Sequence, residues 1–156
     1  MSAKKEKIET LDLAYRISKI QTTKFVFEEI DQKRIVELFS DRKDLNLTVN
    51  IGTLAEVDEL KFTVDLGTKL EDKTTKIVLV EHVARTIFHI DGLNSIYNPK
   101  TKFVDFPTPL IIQIYGIAFS HARALLAIDI APTCYRDKYM LPVIDPTTLI
   151  DQSNVR

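Results

Sequence analysis

The sequence predicts an α+β protein in which strands come first and one long helix follows. Two segments, LNLTVNI (residues 45–51) and LKFTVDL (residues 60–66), alternate apolar and polar side chains at every step. Such alternation is typical of strands in an antiparallel sheet with one buried and one solvated face. The most apolar stretch, LIIQIYGIAFSHARALLAIDIA (residues 110–131), could form a helix about 33 Å long. Strands followed by a helix, without regular alternation of the two, indicate the α+β class.

The first predicted strand lies near the N-terminus. AYRISKI (residues 14–20) and KFVFEE (residues 24–29) are interpreted as one strand whose apolar phase slips at Thr22 and Thr23. A bulge or a kink produces such a slip. The following residues, 28–44, fit either a short helix or an extended crossover, and their pattern leaves both open.

Two middle strands have clearly separated faces. Successive side chains of a strand point to opposite sides, so every second residue shares a face. The shared apolar faces are Leu45, Leu47, Val49 and Ile51 in the first strand and Leu60, Phe62, Val64 and Leu66 in the second. Residues 52–59 between them fit a turn or an extension of a strand.

A long central strand is predicted next. Residues 67–75 are charged and are interpreted as a hairpin connection. KIVLVEHVARTIFHIDG (residues 76–92) is rich in β-branched residues but alternates poorly, which indicates a bulge near Ala84 and Arg85. Its Asp-Gly ending is a turn signal.

Prolines punctuate the rest of the chain. Residues 93–109 are predicted to be an irregular loop, and Pro107 and Pro109 stand where a helix begins, a position that tolerates proline. Residues 133–150 are interpreted as an irregular tail with a last helical turn at residues 146–150.

The apolar helix is not predicted to span a membrane. Five polar residues interrupt it: Gln113, Ser120, His121, Arg123 and Asp129. A central arginine alone costs roughly 3 kcal/mol on insertion. A soluble helix should show a polar stripe, and Gln113, Gly116, Ser120, Arg123 and Ala127 recur at helical spacing.

The remaining surface of this helix is apolar over a wider arc than one sheet face covers. A second subunit is the expected cover, and the small residues would allow close approach of another backbone. The expected oligomer interface comprises Ile114, Ile117, Ala118, Ala122 and Leu125.

Composition narrows the function. The net charge of -1 argues against a protein that binds a nucleic-acid backbone. The basic start MSAKKEK lacks the apolar run of a signal peptide. A single cysteine, Cys134, permits no internal disulfide and fits a reducing compartment, so a cytoplasmic location is expected.

Catalytic patterns are absent from the sequence. His82 and His89 are seven residues apart on one predicted strand, so they point to opposite faces and cannot share a metal. Ser120 and His121 are adjacent on a helix and diverge. The chain has four glycines, and none are spaced to cradle a phosphate. We therefore expect no enzyme, no metal and no cofactor.

Aromatic residues cluster in the loops that flank the helix. One interpretation is that they pin these loops onto the sheet. The other is that they line an apolar groove for extended polypeptide. The residues are Tyr97, Phe103, Phe106, Tyr135, Tyr139 and Met140.

Several strings in this order resemble the SecB protein-export chaperone family. KIQTTKFVFE resembles its first strand, residues 76–92 its fourth, the proline-flanked helix its main helix, and LPVIDPTTLI (residues 141–150) its closing segment. The resemblance implies a SecB-like four-stranded antiparallel sheet packed with one long helix and an irregular C-terminal tail, over residues 14–150. Residues 1–13 are then a flexible N-terminal segment and residues 151–156 a tail.

The resemblance also implies a function. Members of the family hold unfolded clients, including secretory polypeptides, in apolar grooves without ATP, and assemble as a dimer of dimers through their long helices. Some are chaperones of antitoxins. The chain departs from the family pattern before the helix, where only Phe106 and Pro107 of its signature remain, and in an extra stretch PTCYRDKY (residues 132–139).

Two sets of residues can be transferred from the family. Glu28, Leu79 and Glu81 match the surface that receives the tail of the SecA motor, although Lys24 stands where another acid is expected. We therefore expect docking to SecA to be weak or absent; otherwise these acids belong to an ordinary solvated sheet face. The client-binding groove is expected near Phe39, Leu47, Val49, Ile144 and Leu149, of which Leu47 and Val49 also fit a plain core face.

Three hypotheses result. The leading one is an ATP-independent holdase for export or for a dedicated client such as an antitoxin. The second is an oligomeric scaffold on the same fold that binds one folded partner. The third, a small-ligand or enzymatic protein, has little support in the residue pattern.

Overall fold

Four long strands form one antiparallel sheet in the order β1-β4-β3-β2. The computed structural model describes residues 13–150; apart from Leu13, the predicted N-terminal segment and the predicted tail 151–156 lie outside these residues. The strands are β1 (Ala14–Phe27), β2 (Leu45–Glu56), β3 (Lys61–Asp72) and β4 (Val78–Asp91). The predicted α+β class, with a four-stranded sheet and one long helix, is confirmed.

Strand β1 contains the predicted phase slip. Its register against β4 shifts between Ile17 and Lys19 and again between Thr22 and Lys24. The second shift lies where the sequence predicted a bulge or a kink. The prediction of a bulge on β4 near Ala84 is wrong. Ala84 pairs with Thr22, and the extra residue at this point lies on β1.

Strand β3 is longer than predicted. Residues 67–72, interpreted as a hairpin connection, continue the strand, because Thr68, Leu70 and Asp72 keep the alternation and are buried on its inner face. Strand β2 likewise extends to Glu56. Leu60, predicted on β3, instead ends a short 3-10 turn (Val57–Glu59) with φ of 52°.

The segment that the sequence left open contains a helix, α1 (Gln32–Asp41). The Asp31 side chain caps it by accepting a hydrogen bond from the backbone N–H of Arg34 at 2.8 Å. Ile35 and Leu38 are buried. The Arg34 guanidinium donates to the Asp72 carboxylate at 2.7 Å, which ties α1 to the end of β3.

The loop predicted at residues 93–109 contains regular structure. A short helix α2 (Leu93–Ile96) leads into a hairpin of two-residue strands, β5 (Tyr97–Asn98) and β6 (Phe103–Val104). The Asn98 side chain accepts from the backbone N–H of Lys100 in the turn. Strands this short show no hydrophobic period, so the sequence could not reveal them.

The long helix α3 (Thr108–Ile130) packs across the inner face of the sheet. Pro107 and Pro109 flank its first residue, as predicted. Its length and apolar composition alone would allow a membrane span, but its buried side packs on its own sheet. The residues that it buries are Ile111, Ile114, Tyr115, Ala118, Phe119, Ala122, Leu126 and Ile130.

The tail runs back along α3. The Arg123 side chain donates to the Leu141 carbonyl at 3.1 Å. A Cβ at Gly116 would lie 3.3 Å from Pro146. The predicted polar stripe is therefore partly wrong: Gly116 and Arg123 face the chain's own tail rather than solvent. The tail ends in a helical turn, α4 (Thr147–Ile150), close to the predicted position.

Candidate functional site

The inner face of β2 is an incompletely covered apolar row. Leu45, Leu47, Val49 and Ile51 all point to this face and are only partly buried. On the neighbouring strand, Phe62, Val64 and Leu66 are fully buried. The difference arises because β2 is the edge strand of the four-stranded sheet. Among residues 13–150, no strand pairs with its outer edge, so backbone hydrogen-bonding groups accompany the apolar row.

Helix α1 adds exposed apolar surface beside the start of this row. Val36 is 53% exposed, and Phe39 is partly buried with its ring edge-on to Tyr135 at 6.4 Å. Both line a shallow pocket of about 200 Å³. The backbone N–H of Leu45 donates to the Arg42 carbonyl, so β2 begins directly after this helix.

A second pocket of about 280 Å³ lies between the C-terminal half of α3 and the following loop. Leu126, Ala127 and Ile130 of α3 line it, and Met140, 65% exposed, stands at its side. The two pockets share Arg42, Asp137 and Lys138, so they adjoin. We call the surface formed by both pockets and by the β2 row the apolar surface.

The predicted groove residues do not all reach this surface. Phe39, Leu47, Val49 and Ile144 are partly exposed. Leu149 is only 1% exposed and belongs to the core, because α4 folds it inward. Whether these residues contact a client stays a prediction. Val36 was not assigned to the groove, and Met140 was named only in the interpretation in which the residues of the flanking loops line one.

The flanking aromatic residues mostly pin their loops. Phe106, Tyr135 and Tyr139 are buried. The Phe106 ring stacks edge-on against Phe62 at 4.8 Å. The Tyr135 hydroxyl donates to the Glu28 carbonyl at 2.5 Å, and burial raises the pKa of Tyr139 to about 12. These rings hold the fold, whereas the Met140 side chain is exposed.

The predicted motor-docking residues do not form an open acidic surface. Glu81 pairs with Lys24 at 2.9 Å. The hydrogen bond from Lys24 is the main cause that lowers the pKa of Glu81. Leu79 is buried, and Glu28 follows β1 with its side chain exposed. A basic partner would have to displace Lys24 before it could use Glu81.

The predicted interface residues on α3 divide into two groups. Ile114, Ala118 and Ala122 are buried against the chain's own sheet, whereas Ile117 and Leu125 are partly exposed. The face of α3 that stays open carries small and apolar residues with few polar ones: Gln113, Ser120, Ala124, Ala127 and Ile128. Ile17 and Ile20 of the edge strand β1 are also exposed.

A buried polar cluster joins β1, β4 and α3. The Asp129 carboxylate contacts His82 Nε2 at 2.9 Å and accepts from the Thr22 hydroxyl at 2.6 Å. The Thr22 hydroxyl also lies 3.3 Å from His82 Nε2, so the hydroxyl and the carboxylate contact the same ring nitrogen. A nucleophilic triad requires them on opposite ring nitrogens. Within residues 13–150 no group of three His, Cys, Asp or Glu side chains could hold a metal. The cluster therefore fixes the helix on the sheet.

The outer sheet face also carries a depression, of about 410 Å³. Its charges are paired: Arg85 donates two bonds of 2.7 Å to Asp65, and Lys61 lies between Glu56 and Glu59. Such pairing is typical of a solvated face and offers no unbalanced charge to a ligand.

Comparison with known proteins adds a likeness in fold. No family model matches the chain, and no curated protein sequence matches it. Among solved structures, it is similar to a SecB-like chaperone of Mycobacterium tuberculosis in complex with a ChAD peptide from the HigA1 antitoxin. The TM-score is 0.50 at 9% identity, over 83% of this chain and 89% of that chain. A protein of unknown function from Streptococcus agalactiae gives 0.44 at 11% identity, over 84% and 98%. The first likeness supports a SecB-like fold.

Proposed function

We propose that the protein is a holdase chaperone that binds non-native polypeptide without ATP. The observation that carries the proposal is the half-covered apolar row of β2, along an edge that no other strand of residues 13–150 pairs with. A row of apolar side chains on an edge strand is an aggregation hazard unless a partner covers it. Val36 and Met140, which line the two adjoining pockets, add exposed apolar surface.

An extended client fits this surface in a defined way. It adds as a strand beside β2 through backbone hydrogen bonds, and every second side chain enters the apolar surface. Backbone bonding is independent of sequence, so this mode suits a protein with many unfolded clients. Flexible Met140 adapts to different side chains.

The proposed client is a secretory polypeptide or a dedicated client such as an antitoxin, bound in the cytoplasm. The antitoxin peptide in the similar mycobacterial chaperone supports the second choice. Against direct docking to SecA, the Lys24–Glu81 pair and the burial of Leu79 remove part of the expected surface.

Photo-crosslinking tests the location of the client. A benzoylphenylalanine at Leu47 should capture a permanently unfolded client, such as reduced and carboxymethylated α-lactalbumin. The same residue at Lys19, an exposed position on β1 at the opposite edge of the sheet, is the control and should not. Equal capture at both positions, or none at Leu47, would contradict the proposed surface.

The second candidate is an oligomeric scaffold with one folded partner. The open face of α3, with Ala124 and the 68% exposed Ile128, favours self-association under either function. A scaffold would not discriminate between native and unfolded α-lactalbumin, whereas a holdase binds only the unfolded form.

A further inference from the structure

Four cations surround the two adjoining pockets of the apolar surface. Arg123 and Arg136 line the pocket beside Met140, and Arg42 and Lys138 line both pockets. The one acid among the lining residues is Asp137. The whole chain has a net charge of -1, so this concentration of positive charge is a local feature.

The contacts of these cations leave their charges largely unneutralised. Arg123 donates to the Leu141 carbonyl, and Arg42 donates to the Lys138 carbonyl at 3.5 Å while lying over the Phe39 ring. The Arg136–Asp137 pair is 3.7 Å long and well exposed, with side chains 69% and 90% accessible. An exposed pair of this length holds its partners weakly. Lys138 forms no ion pair with any residue of the described range.

The floor between the cations is apolar. Leu126, Ala127 and Ile130 form it, with Met140 beside them. A site for a free phosphate or another small anion would need convergent donors rather than an apolar floor. A ligand that matches both the apolar floor and the surrounding cations carries carboxylates on either side of an apolar side chain.

We propose that this cationic pocket binds an acidic segment of a polypeptide, with an apolar side chain on the floor and flanking Asp or Glu side chains on the arginines. Guanidinium groups take carboxylates through paired hydrogen bonds. Since β2 starts beside Arg42, a client lying along the apolar row reaches the pocket with its adjoining segment. The identification of the segment as part of a client rests on the proposed function; the pocket itself does not.

The test measures binding of short labelled peptides to the full chain by fluorescence anisotropy. The probe has about eight residues, the length of a strand, and alternates Glu with Leu or Phe. Peptides with Gln or Lys in place of Glu are the controls. We expect the Glu peptide to bind about tenfold more tightly than the Gln peptide, and this margin to shrink as salt rises from about 50 to 300 mM.

Variants locate the site. Arg136→Gln with Lys138→Gln removes two exposed charges without touching the core. This variant should lose most of the difference in affinity between the Glu peptide and the Gln peptide. The control, Lys19→Gln with Lys100→Gln, removes two exposed charges on β1 and in the turn between β5 and β6, and should keep it. Equal binding of the Glu and Gln peptides, or a margin unchanged in the pocket variant, overturns the inference. Tighter binding of a single-stranded oligonucleotide of similar length overturns the choice of a polypeptide.

Failure of the pocket and failure of the proposed function give different results. A chain that binds the Glu peptide but does not suppress aggregation of unfolded proteins has the pocket and is not a holdase. A chain that suppresses aggregation equally before and after Arg136→Gln with Lys138→Gln, and shows no margin for Glu, is a holdase without the pocket.

Discussion

Asp72 shows how a buried charge joins two elements. Its carboxylate is almost wholly buried and accepts from Arg34 at 2.7 Å and from the backbone N–H of Thr74 at 2.9 Å. Asp72→Ala leaves these donors without a partner, so we expect the free energy of unfolding to fall by about 2 kcal/mol. Urea unfolding measures this. Glu37→Ala, which removes the exposed partner of Arg34, should change it little.

The same carboxylate gives a pH dependence. Burial alone would raise its pKa, but the hydrogen bonds from Arg34 and the Thr74 and Thr75 backbone hold the pKa below 3.8. A carboxyl whose pKa is lower in the folded state stabilises the fold above its unfolded pKa, and this is lost as pH falls through the folded value. The difference in stability between wild type and Asp72→Ala should be full at pH 7 and shrink below about pH 3.8. A difference that grows on acidification would contradict this assignment.

Asp129 is the second residue on which long-range structure depends. Asp129→Ala deprives buried His82 of its nearer Nε2 partner and Thr22 of its carboxylate acceptor, so we expect a loss of about 1–3 kcal/mol in unfolding free energy. Thermal unfolding followed by circular dichroism measures it. Asp44→Ala, at an exposed position with an ordinary backbone conformation, is the control and should leave the melting temperature unchanged.

At the residue scale the sequence revealed that α3 is interrupted by polar groups but not what they bind. His121 contacts Thr86, Arg123 contacts the Leu141 carbonyl, and Asp129 contacts His82 and Thr22. Their partners lie on other elements, far along the chain, and no local pattern encodes such pairs. Burial lowers the pKa of His121, which favours the neutral imidazole in its contact with Thr86.

At the element scale, close packing of the tail on α3 depends on Gly116. Its missing Cβ leaves room for Pro146, which would lie 3.3 Å away from a Cβ. Gly116→Leu should displace the tail and expose residues 141–150 to limited proteolysis. Gly116→Ala, the graded control, needs a shift of only a few tenths of an ångström and should remain largely resistant. Unchanged resistance of the leucine variant would mean that the tail is held mainly by Arg123 and Leu149.

The strands and the long helix were predictable because each has a hydrophobic period over many residues. The C-terminal end of β3 could not be predicted in this way. Gly67 and Lys69 resemble a turn, yet Asn50 of the neighbouring strand covers Gly67 and the strand pairing continues. The course of the tail over Gly116 and Arg123 was equally hidden, because these two residues fit a solvated stripe as well as a covered one.

At the scale of the whole molecule, the open face of α3 predicts self-association. Ala124→Glu with Ile128→Glu places charges on exposed positions of that face, so the fold should survive while any oligomer dissociates. Light scattering coupled to size-exclusion chromatography measures the mass. Leu54→Glu with Val143→Glu, also at exposed apolar positions, is the control. An oligomer that persists in the α3 variant would show that its interface lies elsewhere, for example at the β1 edge.

The candidate site was only partly predictable from the sequence. Leu47 and Val49 could be named from alternation, but the exposure that makes them a surface follows from the position of β2 at the sheet edge. Strand order depends on long-range pairing that periodicity does not encode. The pocket beside Met140 depends on residues 132–139, for which the family resemblance offers no counterpart.

Aggregation of a chemically denatured reporter protein, followed by light scattering without nucleotide, measures holdase activity itself. We predict suppression by the wild type at near-stoichiometric ratios, and clear loss of suppression in Val36→Asp with Met140→Asp, whose positions are already exposed. Scattering unaffected by several-fold excess of correctly folded wild type would contradict a holdase function and leave the scaffold as the better explanation.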